Sequence, residues 1–597
     1  MSRLPSAVPG VLGNTSLAQF DAIIIGSGAG GSVAARTLTV VGGKKVLVLE
    51  AGPNYFMGLD DPAAGMPVPL FSNDELKLSV RPFINQSLFL EPRTYRASEI
   101  ARAVIADVNT LPRNVGGGAV HADMKYPRFN AVDFHLATEM QSHGVQYPAT
   151  NFSDWPLSYD ELEPFYTEAE RLTGVQGLRG SDPFESHRSS DFLMPPGVPM
   201  YVAQVISDGA CAQGYTTFPY PTAVNSRPYG GRPPCVDCGL CTGYGCPNNS
   251  KCSPAVTTLR EALLTENCQL RYNCHVTRLL HGAGRHVVGV EYIDGDGKVQ
   301  QATADQFILA ASAIESARLC LVSDLGGPGL GNSSDMVGRN LMFHLETLAV
   351  GVFKQRFHGE RGRSVTHGIS DFRGVMPGGA AIDPSRKLGG IIEIGAQSEP
   401  INDAQNNLMV LALAQSQGIA ITLKQLLINS PLRAHLAALT LQSEDAPQLT
   451  NRVDLDPTIR DVFRQPVPRI TYASSPFELD AQNFYSPLML SLLKAAGAQY
   501  GAIAPQPVPS QSAHIMGTLR MGGDAATSVC DAVGKFHDVD NLYCMDGGVF
   551  VTSSGYNPTL TIITLALRAA GALLFPGTPE RVIGRSLRPR LEQDGAA

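Results

Sequence analysis

Three glycines near the N-terminus have the spacing of a phosphate-binding turn. Gly26, Gly28 and Gly31 stand at G-x-G-x-x-G positions, and the acidic residue Glu50 follows roughly 20 residues later. The first glycine allows a tight turn, the second lets backbone approach a pyrophosphate, and the third lets a helix pack closely on a strand. A carboxylate at Glu50 can accept a hydrogen bond from a ribose 2′-hydroxyl. These residues predict a dinucleotide site that favours an unphosphorylated adenosine ribose.

The sequence around the glycines predicts the elements that such a site needs. Residues 22–25 are an apolar, β-branched run typical of a strand buried on both faces of a parallel sheet. Residues 32–39 are mostly small and predict a helix, and residues 45–49 predict a second strand that ends at Glu50. The helix N-terminus would present N–H groups and a partial positive charge to the pyrophosphate. An ordinary βαβ turn is the alternative, and the acid after the second strand argues against it.

Length and composition indicate an enzyme with two connected domains. The chain has 597 residues, with 44% hydrophobic and 17% charged residues, and its net charge of −8 provides no basic field for nucleic acid. The N-terminal segment lacks the continuous apolar core of a signal peptide. Residues 559–575 are apolar but are interrupted by Arg568 and are too short to span a bilayer comfortably. We expect no transmembrane segment and a cytoplasmic protein, with export on a signal-bearing partner as the alternative.

A cysteine-rich stretch has a spacing close to that of a cluster-binding run. Cys235, Cys238, Cys241 and Cys246 form the pattern C-x2-C-x2-C-x4-C-P, one residue longer than a ferredoxin run whose thiolates converge on an iron–sulfur cluster. A four-ligand zinc site, a disulfide-pinned loop and free thiols are the competing interpretations, because spacing reveals neither oxidation state nor metal. We favour a structural loop over a cluster. A cluster would make the protein a dehydrogenase that passes electrons to another carrier.

Two further stretches complete a family pattern. The consecutive glycines 116–118 indicate backbone that passes close to a flat or bulky group, because a side chain there would collide. Residues 512–522 read SAHIMGTLRMG, and residues 540–568 read DNLYCMDGGVFVTSSGYNPTLTIITLALR. Together with the N-terminal glycine motif, these stretches resemble the glucose-methanol-choline (GMC) oxidoreductases, and the cysteine run is similar to that of a bacterial branch of the family.

The resemblance implies an α/β fold with a Rossmann-like, discontinuous FAD-binding domain and a substrate-binding domain that has a large antiparallel sheet and flanking helices. It places the FAD-binding domain at residues 15–135, 253–345 and 510–585, and the substrate-binding domain at 136–252 and 346–509. FAD is the implied cofactor. The implied FAD-binding residues are Gly26, Gly28, Gly31, Glu50, Gly116, Gly117, Gly118, His121, Asp546, Gly547, Asn557 and Pro558.

His121 has two interpretations under this resemblance. In the pyranose-oxidase-like branch, a histidine at the matching position can carry the flavin covalently. The alternative is a polar residue that lines the flavin site without a covalent bond, and we favour it because a loop histidine is more often a hydrogen-bond partner.

His514 and Asn557 are, by the same resemblance, the catalytic pair that faces the flavin N5. An alcohol gives up a hydride from carbon only as its hydroxyl proton leaves, and a neutral imidazole is a suitable acceptor for that proton. Asn557 can hydrogen-bond the same oxygen. Asn557 and Pro558 also predict a helix start, with Asn557 as the cap. This pair resembles the choline- and pyranose-oxidising branches more than the two-histidine glucose-oxidase branch, and His344 is a further candidate for the cavity wall.

The resemblance implies oxidation of an alcohol or sugar hydroxyl to a carbonyl by hydride transfer to FAD. The substrate would be a small alcohol, sugar or glycoside, and the electron acceptor would be O2, a quinone or a redox protein. A redox-neutral flavin-containing lyase of the same family is one alternative. The flavin subunit of a multi-component dehydrogenase is another.

Several other segments carry expectations about the fold. Residues 154–171 have a capping start and helical periodicity, which predict a surface helix of the second domain. Residues 268–309 alternate like hairpin strands, and residues 307–323 predict a buried strand that runs into a helix. Residues 423–441 have helical periodicity broken at Pro431, and residues 451–472 predict a strand of the substrate-domain sheet.

Overall fold

The computed structural model describes residues 19–70, 89–359, 362–395, 432–505, 512–583 and 585, with gaps at 109–110, 240, 242 and 283–284, and isolated residues between 415 and 425. Most of the first half of the predicted periodic stretch 423–441 therefore lies outside the described residues. Within them, the α-helices are α1 (Ala29–Arg36), α2 (Leu136–Ser142), α3 (Tyr159–Thr173), α4 (Tyr201–Ala212), α5 (Thr258–Leu263), α6 (Ala313–Ser323), α7 (Leu432–His435), α8 (Pro476–Ala495) and α9 (Thr559–Leu574).

The strands are numbered in chain order. They are β1 (Phe20–Ile25), β2 (Val46–Leu49), β3 (Phe56–Met57), β4 (Val68–Pro69), β5 (Thr94–Arg96), β6 (Val104–Ile105), β7 (Thr217–Pro219), β8 (Cys268–Arg271), β9 (His275–His281), β10 (Val287–Ile293), β11 (Val299–Ala302), β12 (Ala304–Leu309), β13 (Leu345–Val352), β14 (Val365–Ile369), β15 (Ile392–Gly395), β16 (Leu436–Ser443), β17 (Arg452–Arg460), β18 (Pro466–Thr471), β19 (Tyr500–Ile503) and β20 (Leu542–Cys544).

A five-stranded parallel sheet forms around the glycine motif. Its strand order is β20-β12-β1-β2-β8, and every neighbouring pair is parallel. All four residues of β2 are buried, as expected for a strand covered on both faces. The predicted strand–helix–strand unit is confirmed, although α1 begins at Ala29 and continues into a π-helical turn, Thr37–Val41.

A second sheet has its own hydrophobic core. This six-stranded sheet has the order β19-β13-β16-β15-β14-β7, and its neighbours are all antiparallel. Helices α4 and α8 pack on it, and buried side chains such as Ile392, Leu439 and Tyr485 fill the space between them. The predicted combination of a Rossmann-like sheet with a large antiparallel sheet is confirmed, whereas the domain limits stay a prediction.

Helix α3 differs from the surface helix predicted for residues 154–171. It begins after Ser158, which forms a capping box with Glu161. Its apolar face packs on α9, and Leu162 and Tyr166 belong to the same core as the parallel sheet. The helix is buried because this face lies against the very apolar α9 rather than against solvent.

Three other segments refine the sequence-based expectations. The alternating region 268–309 is divided, since β8 and β12 join the parallel sheet while β9, β10 and β11 form a separate antiparallel sheet. Residues 436–443, predicted within a helical pattern, form β16, because they pair with β13 and β15 in the six-stranded sheet. Residues 451–472 form β17 and β18, which belong to a four-stranded sheet with β5 and β6.

The helices of the described residues include none that is both long and apolar enough to cross a membrane. The longest, α8, has 20 residues and is amphipathic, with buried residues on the face toward the six-stranded sheet and exposed polar residues such as Asn483 and Lys494 among the rest.

Candidate active site

The glycine turn after β1 is tightly packed on its neighbours. Gly26 has a φ of +102°, and a Cβ there would lie 2.3 Å from the Ala310 carbonyl oxygen. A Cβ on Gly31 would lie 2.1 Å from the carbonyl oxygen of Gly26. Both positions require glycine, because the turn and the start of α1 pack against the end of β12 without room for a side chain.

Gly28 occupies a different environment. It is the N-cap of α1, it offers no side chain to cap the helix, and the first turn of α1 contains no acidic residue. A Cβ on Gly28 would meet nothing within 4 Å, so space lies in front of the helix start. Gly117 faces it from the neighbouring loop, where a Cβ would come within 3.2 Å of the Gly28 Cα. The Gly116 N–H donates to Ser27 Oγ at 2.9 Å and fixes this approach.

Glu50 follows β2 and is buried beside this turn. Its carboxylate accepts hydrogen bonds from the N–H of Ser27 (3.0 Å), the hydroxyl of Ser27 (2.6 Å) and the N–H of Gly52 (2.9 Å). These bonds use three of the roughly four acceptor positions of a carboxylate, which leaves capacity for a ribose hydroxyl. Burial raises the pKa of Glu50, while these hydrogen bonds act in the opposite direction.

Asp546 and Gly547 lie between α1 and the segment that carries His514. A Cβ on Gly30 would lie 1.8 Å from the Met545 carbonyl oxygen, and a Cβ on Gly547 would lie 2.4 Å from the Ile515 carbonyl oxygen. Asp546 accepts hydrogen bonds from Ser316 Oγ (2.6 Å) and from the Gly548 N–H (2.8 Å). Burial raises its pKa.

His514 and Asn557 meet although 43 residues separate them. The Nε2 atom of His514 lies 3.4 Å from the Nδ2 atom of Asn557. Burial, together with the nearby His344 and Lys125, holds the pKa of His514 well below its usual value. The imidazole is therefore neutral at neutral pH and has a lone pair available to accept a proton.

Asn557 does not cap the helix as the sequence predicted. Helix α9 begins at Thr559, Pro558 is its N-cap, and no side-chain cap is formed. The Asn557 amide instead turns into the site, because two buried partners hold it there. Tyr220 donates its hydroxyl to Oδ1 at 2.5 Å, and Nδ2 donates to Glu393 Oε1 at 3.1 Å.

Lys125 neutralises the carboxylate that holds Asn557. Its Nζ lies 2.6 Å from Glu393 Oε2 and 3.1 Å from Asp123 Oδ2. Burial alone would lower the pKa of Lys125, but the two carboxylates raise it above the usual value. Sequence reasoning missed Tyr220, Glu393 and Lys125. The available signal was Glu393, a lone acid within the apolar run at residues 391–395.

His344 packs directly against His514. Their Nδ1 atoms are 2.9 Å apart, and the rings meet edge to face. The Nε2 atom of His344 lies 3.0 Å from the carbonyl oxygen of Ser554 and 3.3 Å from that of Ser553. Burial lowers the pKa of His344 to about 4. The sequence-based suggestion that His344 lines this region agrees with its position.

The cysteine-rich segment lies against the loop that carries His121. His121 is buried at the end of the turn Gly117–Val120, and its carbonyl accepts a hydrogen bond from the Gly243 N–H at 2.8 Å. The buried ammonium of Lys251 donates to the carbonyls of Ala122 and Cys241, both at 2.9 Å, and of Tyr244 at 2.7 Å. The segment is therefore fastened by hydrogen bonds.

The cysteines of this segment remain thiols. The disulfide-pinned interpretation is wrong here, because Cys235, Cys238, Cys241 and Cys246 are all unpaired with one another. Burial raises the pKa of Cys235 to about 11 and that of Cys241 to about 12, which keeps both protonated. Across the part of the chain that the structure describes, no group of three or more His, Cys, Asp or Glu side chains is arranged to hold a metal ion.

Comparison with protein families gives two matches. Residues 197–346 and residues 447–566 match the N-terminal and C-terminal models described as GMC oxidoreductase. The chain belongs to the GMC oxidoreductase family. Proteins of this family are FAD-dependent enzymes that act on hydroxyl groups, which agrees with the expectation drawn from the motifs.

Curated relatives of this GMC protein match over almost its whole length. The gluconate 2-dehydrogenase flavoprotein of Pantoea cypripedii is 27% identical, over 94% of this chain and 95% of that protein. Paromamine 6′-oxidase of Streptomyces fradiae is 28% identical, over 93% and 91%. The fructose dehydrogenase large subunit of Gluconobacter japonicus is 27% identical, over 93% and 97%. A solved structure, pyridoxine 4-oxidase from Mesorbium loti, shares the fold with a TM-score of 0.59 and 16% identity, over 92% of this chain and 98% of that chain.

The residues present fit the FAD that the family implies. The open space before Gly28 lies at an uncapped helix start, which suits a pyrophosphate. The buried Glu50 carboxylate retains acceptor capacity for a ribose hydroxyl. The second helix start, at α9, directly follows Asn557 and can stabilise negative charge near the imidazole.

Proposed function

We propose that this protein oxidises a hydroxyl group of a small alcohol, sugar or glycoside to a carbonyl, with FAD as the cofactor. The observation that carries this proposal is the contact between His514 Nε2 and Asn557 Nδ2. One atom is a proton acceptor and the other is a hydrogen-bond donor, and both lie just before the first turn of α9. An alcohol oxygen needs the same two partners, because it donates one proton and accepts hydrogen bonds at its lone pairs.

In this proposal His514 acts as the general base. Its lowered pKa keeps the imidazole neutral, so the lone pair is present across the physiological pH range. Nε2 takes the hydroxyl proton of the substrate as the adjacent C–H bond breaks. Bound FAD supplies the acceptor for the hydride at its N5 atom. The N-terminus of α9 also lies close to this pair, and its dipole would favour negative charge on the reduced cofactor.

Asn557 orients the substrate. Its amide donates a hydrogen bond to the substrate oxygen, which holds the oxygen beside His514 and limits the directions in which the C–H bond can point. The amide is fixed because a carboxylate can only accept, so Nδ2 must face Glu393, and Oδ1 then receives the Tyr220 hydroxyl. Lys125 pairs with the other oxygen of the Glu393 carboxylate and so helps to hold that carboxylate in place.

Anaerobic mixing of the oxidised holoenzyme with candidate substrates tests the proposal. The panel contains sugars, glycosides, amino sugars, aliphatic diols and aromatic alcohols, and loss of the yellow flavin absorbance is the readout. Bleaching by at least one class, abolished in His514→Ala with FAD still bound, is expected. Consumption of a compound without bleaching would favour the redox-neutral lyase instead.

A multi-component dehydrogenase is a second candidate. Two relatives that align with more than nine-tenths of this chain are named as a flavoprotein and as a large subunit. If this chain acts in the same way, the isolated protein should reduce an artificial dye far faster than it reduces O2. Rapid, stoichiometric production of hydrogen peroxide by the isolated chain would identify an oxidase.

Two further cofactor questions have direct assays. We propose that His121 lines the flavin site without a covalent bond; a colourless pellet after acid precipitation would agree with this, whereas a yellow pellet would favour the covalent alternative. For the cysteine segment we propose a structural loop without a cluster, because no three of its described cysteine side chains converge on one point. Iron and sulfide above background in anaerobically prepared protein would contradict this.

A further inference from the structure

His344 presents two hydrogen-bonding atoms with different neighbours. Its Nε2 faces two carbonyl oxygens, those of Ser553 and Ser554, at 3.3 and 3.0 Å. A carbonyl oxygen accepts hydrogen bonds and never donates them. Nε2 must therefore carry the proton, because the other tautomer would direct its lone pair at two oxygens.

The opposite atom of His344 must then accept. The ring is fully buried, and burial lowers its pKa to about 4, so it carries a single proton at neutral pH. With that proton on Nε2, the Nδ1 atom has only a lone pair. The Nδ1 of His514 lies 2.9 Å away, and it must be the donor of this hydrogen bond.

The far side of His514 leads to the same tautomer independently. The Asn557 amide is held with Nδ2 toward Glu393 and Oδ1 toward Tyr220. The atom that faces His514 Nε2 at 3.4 Å is therefore an N–H donor, and Nε2 must be unprotonated. Both ends of the His514 ring thus require a proton on Nδ1 and a lone pair on Nε2.

We propose that His344 is a positioning residue that holds His514 in the Nδ1–H tautomer and so directs the Nε2 lone pair at the substrate hydroxyl. The inference rests on the proposed function, in which His514 is the base. After His514 accepts the proton, its Nδ1–H still donates to His344, so the contact serves both protonation states. His344 needs no contact with the substrate for this role.

The test compares, in the holoenzyme, two replacements of His344 whose side chains are similar in size and branching. His344→Asn keeps an acceptor oxygen near the position of Nδ1, whereas His344→Leu presents only methyl groups there. With a substrate identified by bleaching, the flavin-reduction rate of His344→Leu should fall at least about 10-fold, as for loss of a group that orients a catalytic histidine. His344→Asn should reduce its flavin several times faster than His344→Leu. Equal rates in the two variants, or a wild-type rate in His344→Leu, would overturn the proposal.

A second measurement uses the wild-type holoenzyme and does not depend on the His344 variants folding. ¹⁵N NMR of histidine-labelled protein reports which ring nitrogen carries the proton, and the His514 signals are those lost in His514→Ala. We expect a protonated Nδ1 and an unprotonated Nε2, and the reverse pattern would contradict the inference. If no hydroxyl compound bleaches the flavin of the wild-type protein, the proposed function fails, and if His514→Ala reduces flavin at the wild-type rate, the assignment of His514 as the base fails. If only the His344 comparison fails, the base assignment stands and His344 has no positioning role.

Discussion

The Nζ atom of Lys251 lies 2.9 Å from the carbonyl oxygen of Ala122, which ties the cysteine-rich segment to the Gly117–Val120 turn. The same ammonium also donates to Cys241 and Tyr244. One buried cation therefore fixes the distance between two loops. It does so next to the residues proposed to contact FAD.

Replacing this cation should loosen the cofactor. In Lys251→Met, three buried carbonyls lose their donor, which should cost about 3 kcal/mol or more of folding stability and lower the affinity for FAD. Thermal unfolding and titration of the apoprotein with FAD measure both effects. Lys494→Met, which changes an exposed lysine in α8, is the control. A Lys251→Met protein with unchanged FAD affinity would show that the two loops do not depend on this tie.

Filling the space before Gly28 should impair cofactor binding without unfolding the chain. A Cβ there meets nothing within 4 Å, so Gly28→Val is expected to leave the stability of the apoprotein within about 1 kcal/mol of wild type. The added side chain would occupy the position proposed for the pyrophosphate and lower FAD affinity at least about 10-fold. Gly523→Val, at another glycine with open space around it, should change neither quantity. Full FAD occupancy in Gly28→Val would refute the proposed position.

The orientation of the Asn557 amide should depend on Tyr220. Tyr220→Phe removes only the hydroxyl that donates to Oδ1, and the flavin-reduction rate should fall about 5-fold or more with FAD still bound, since the hydrogen bond contributes roughly 1 kcal/mol or more to the orientation. Tyr485→Phe removes a buried hydroxyl that donates to the Lys387 carbonyl in the other core and serves as the control. Equal rates in the two variants would mean that Tyr220 has no such role.

The pH profile of flavin reduction should reflect the lowered pKa of His514. The reaction needs the neutral imidazole, so the rate should stay level as the pH falls through about 6.5, the usual histidine value, and should decline only at lower pH. Stopped-flow reduction across buffers of increasing acidity measures this. A decline centred near the ordinary histidine value would contradict the assignment.

Lys125 gives this pH profile a second test. Burial and His344 lower the pKa of His514, and the charge of Lys125 adds to their effect. Lys125→Met removes that charge and leaves the Glu393 carboxylate without its ion pair. Both changes favour a protonated His514, so the acidic limb should move to higher pH. A limb that stays in place or moves to lower pH would show that Lys125 does not act on His514.

Local sequence patterns were sufficient to predict the strand–helix–strand unit that carries the glycine motif, whereas its role in binding the cofactor stays a prediction. Gly26, Gly28, Gly31 and Glu50 lie within one βαβ unit, where spacing along the chain determines spacing in the fold. The family resemblance supplied His514 and Asn557, whose side chains do meet. Their catalytic roles stay a prediction.

The partners of that pair could not be predicted in the same way. Tyr220 follows β7, Glu393 lies on β15 and Lys125 follows the glycine loop, so only tertiary folding brings them together. Likewise, the sequence of residues 436–443 is compatible with a helix or a strand. These residues form a strand because they pair with β13 and β15. The predicted helix cap was wrong by one residue, since Pro558 and not Asn557 is the N-cap of α9. The Asn557 side chain bonds Glu393 inside the site instead of the first turn of the helix.

Glu393 belongs to the six-stranded sheet, whereas Asn557 precedes the helix that packs beside the parallel sheet. The hydrogen bond between them connects the six-stranded sheet to the segment that leads into α9. Because Tyr220, which follows β7 of the same sheet, also bonds the Asn557 amide, a substitution that shifts β7 or β15 would change the direction in which that amide points.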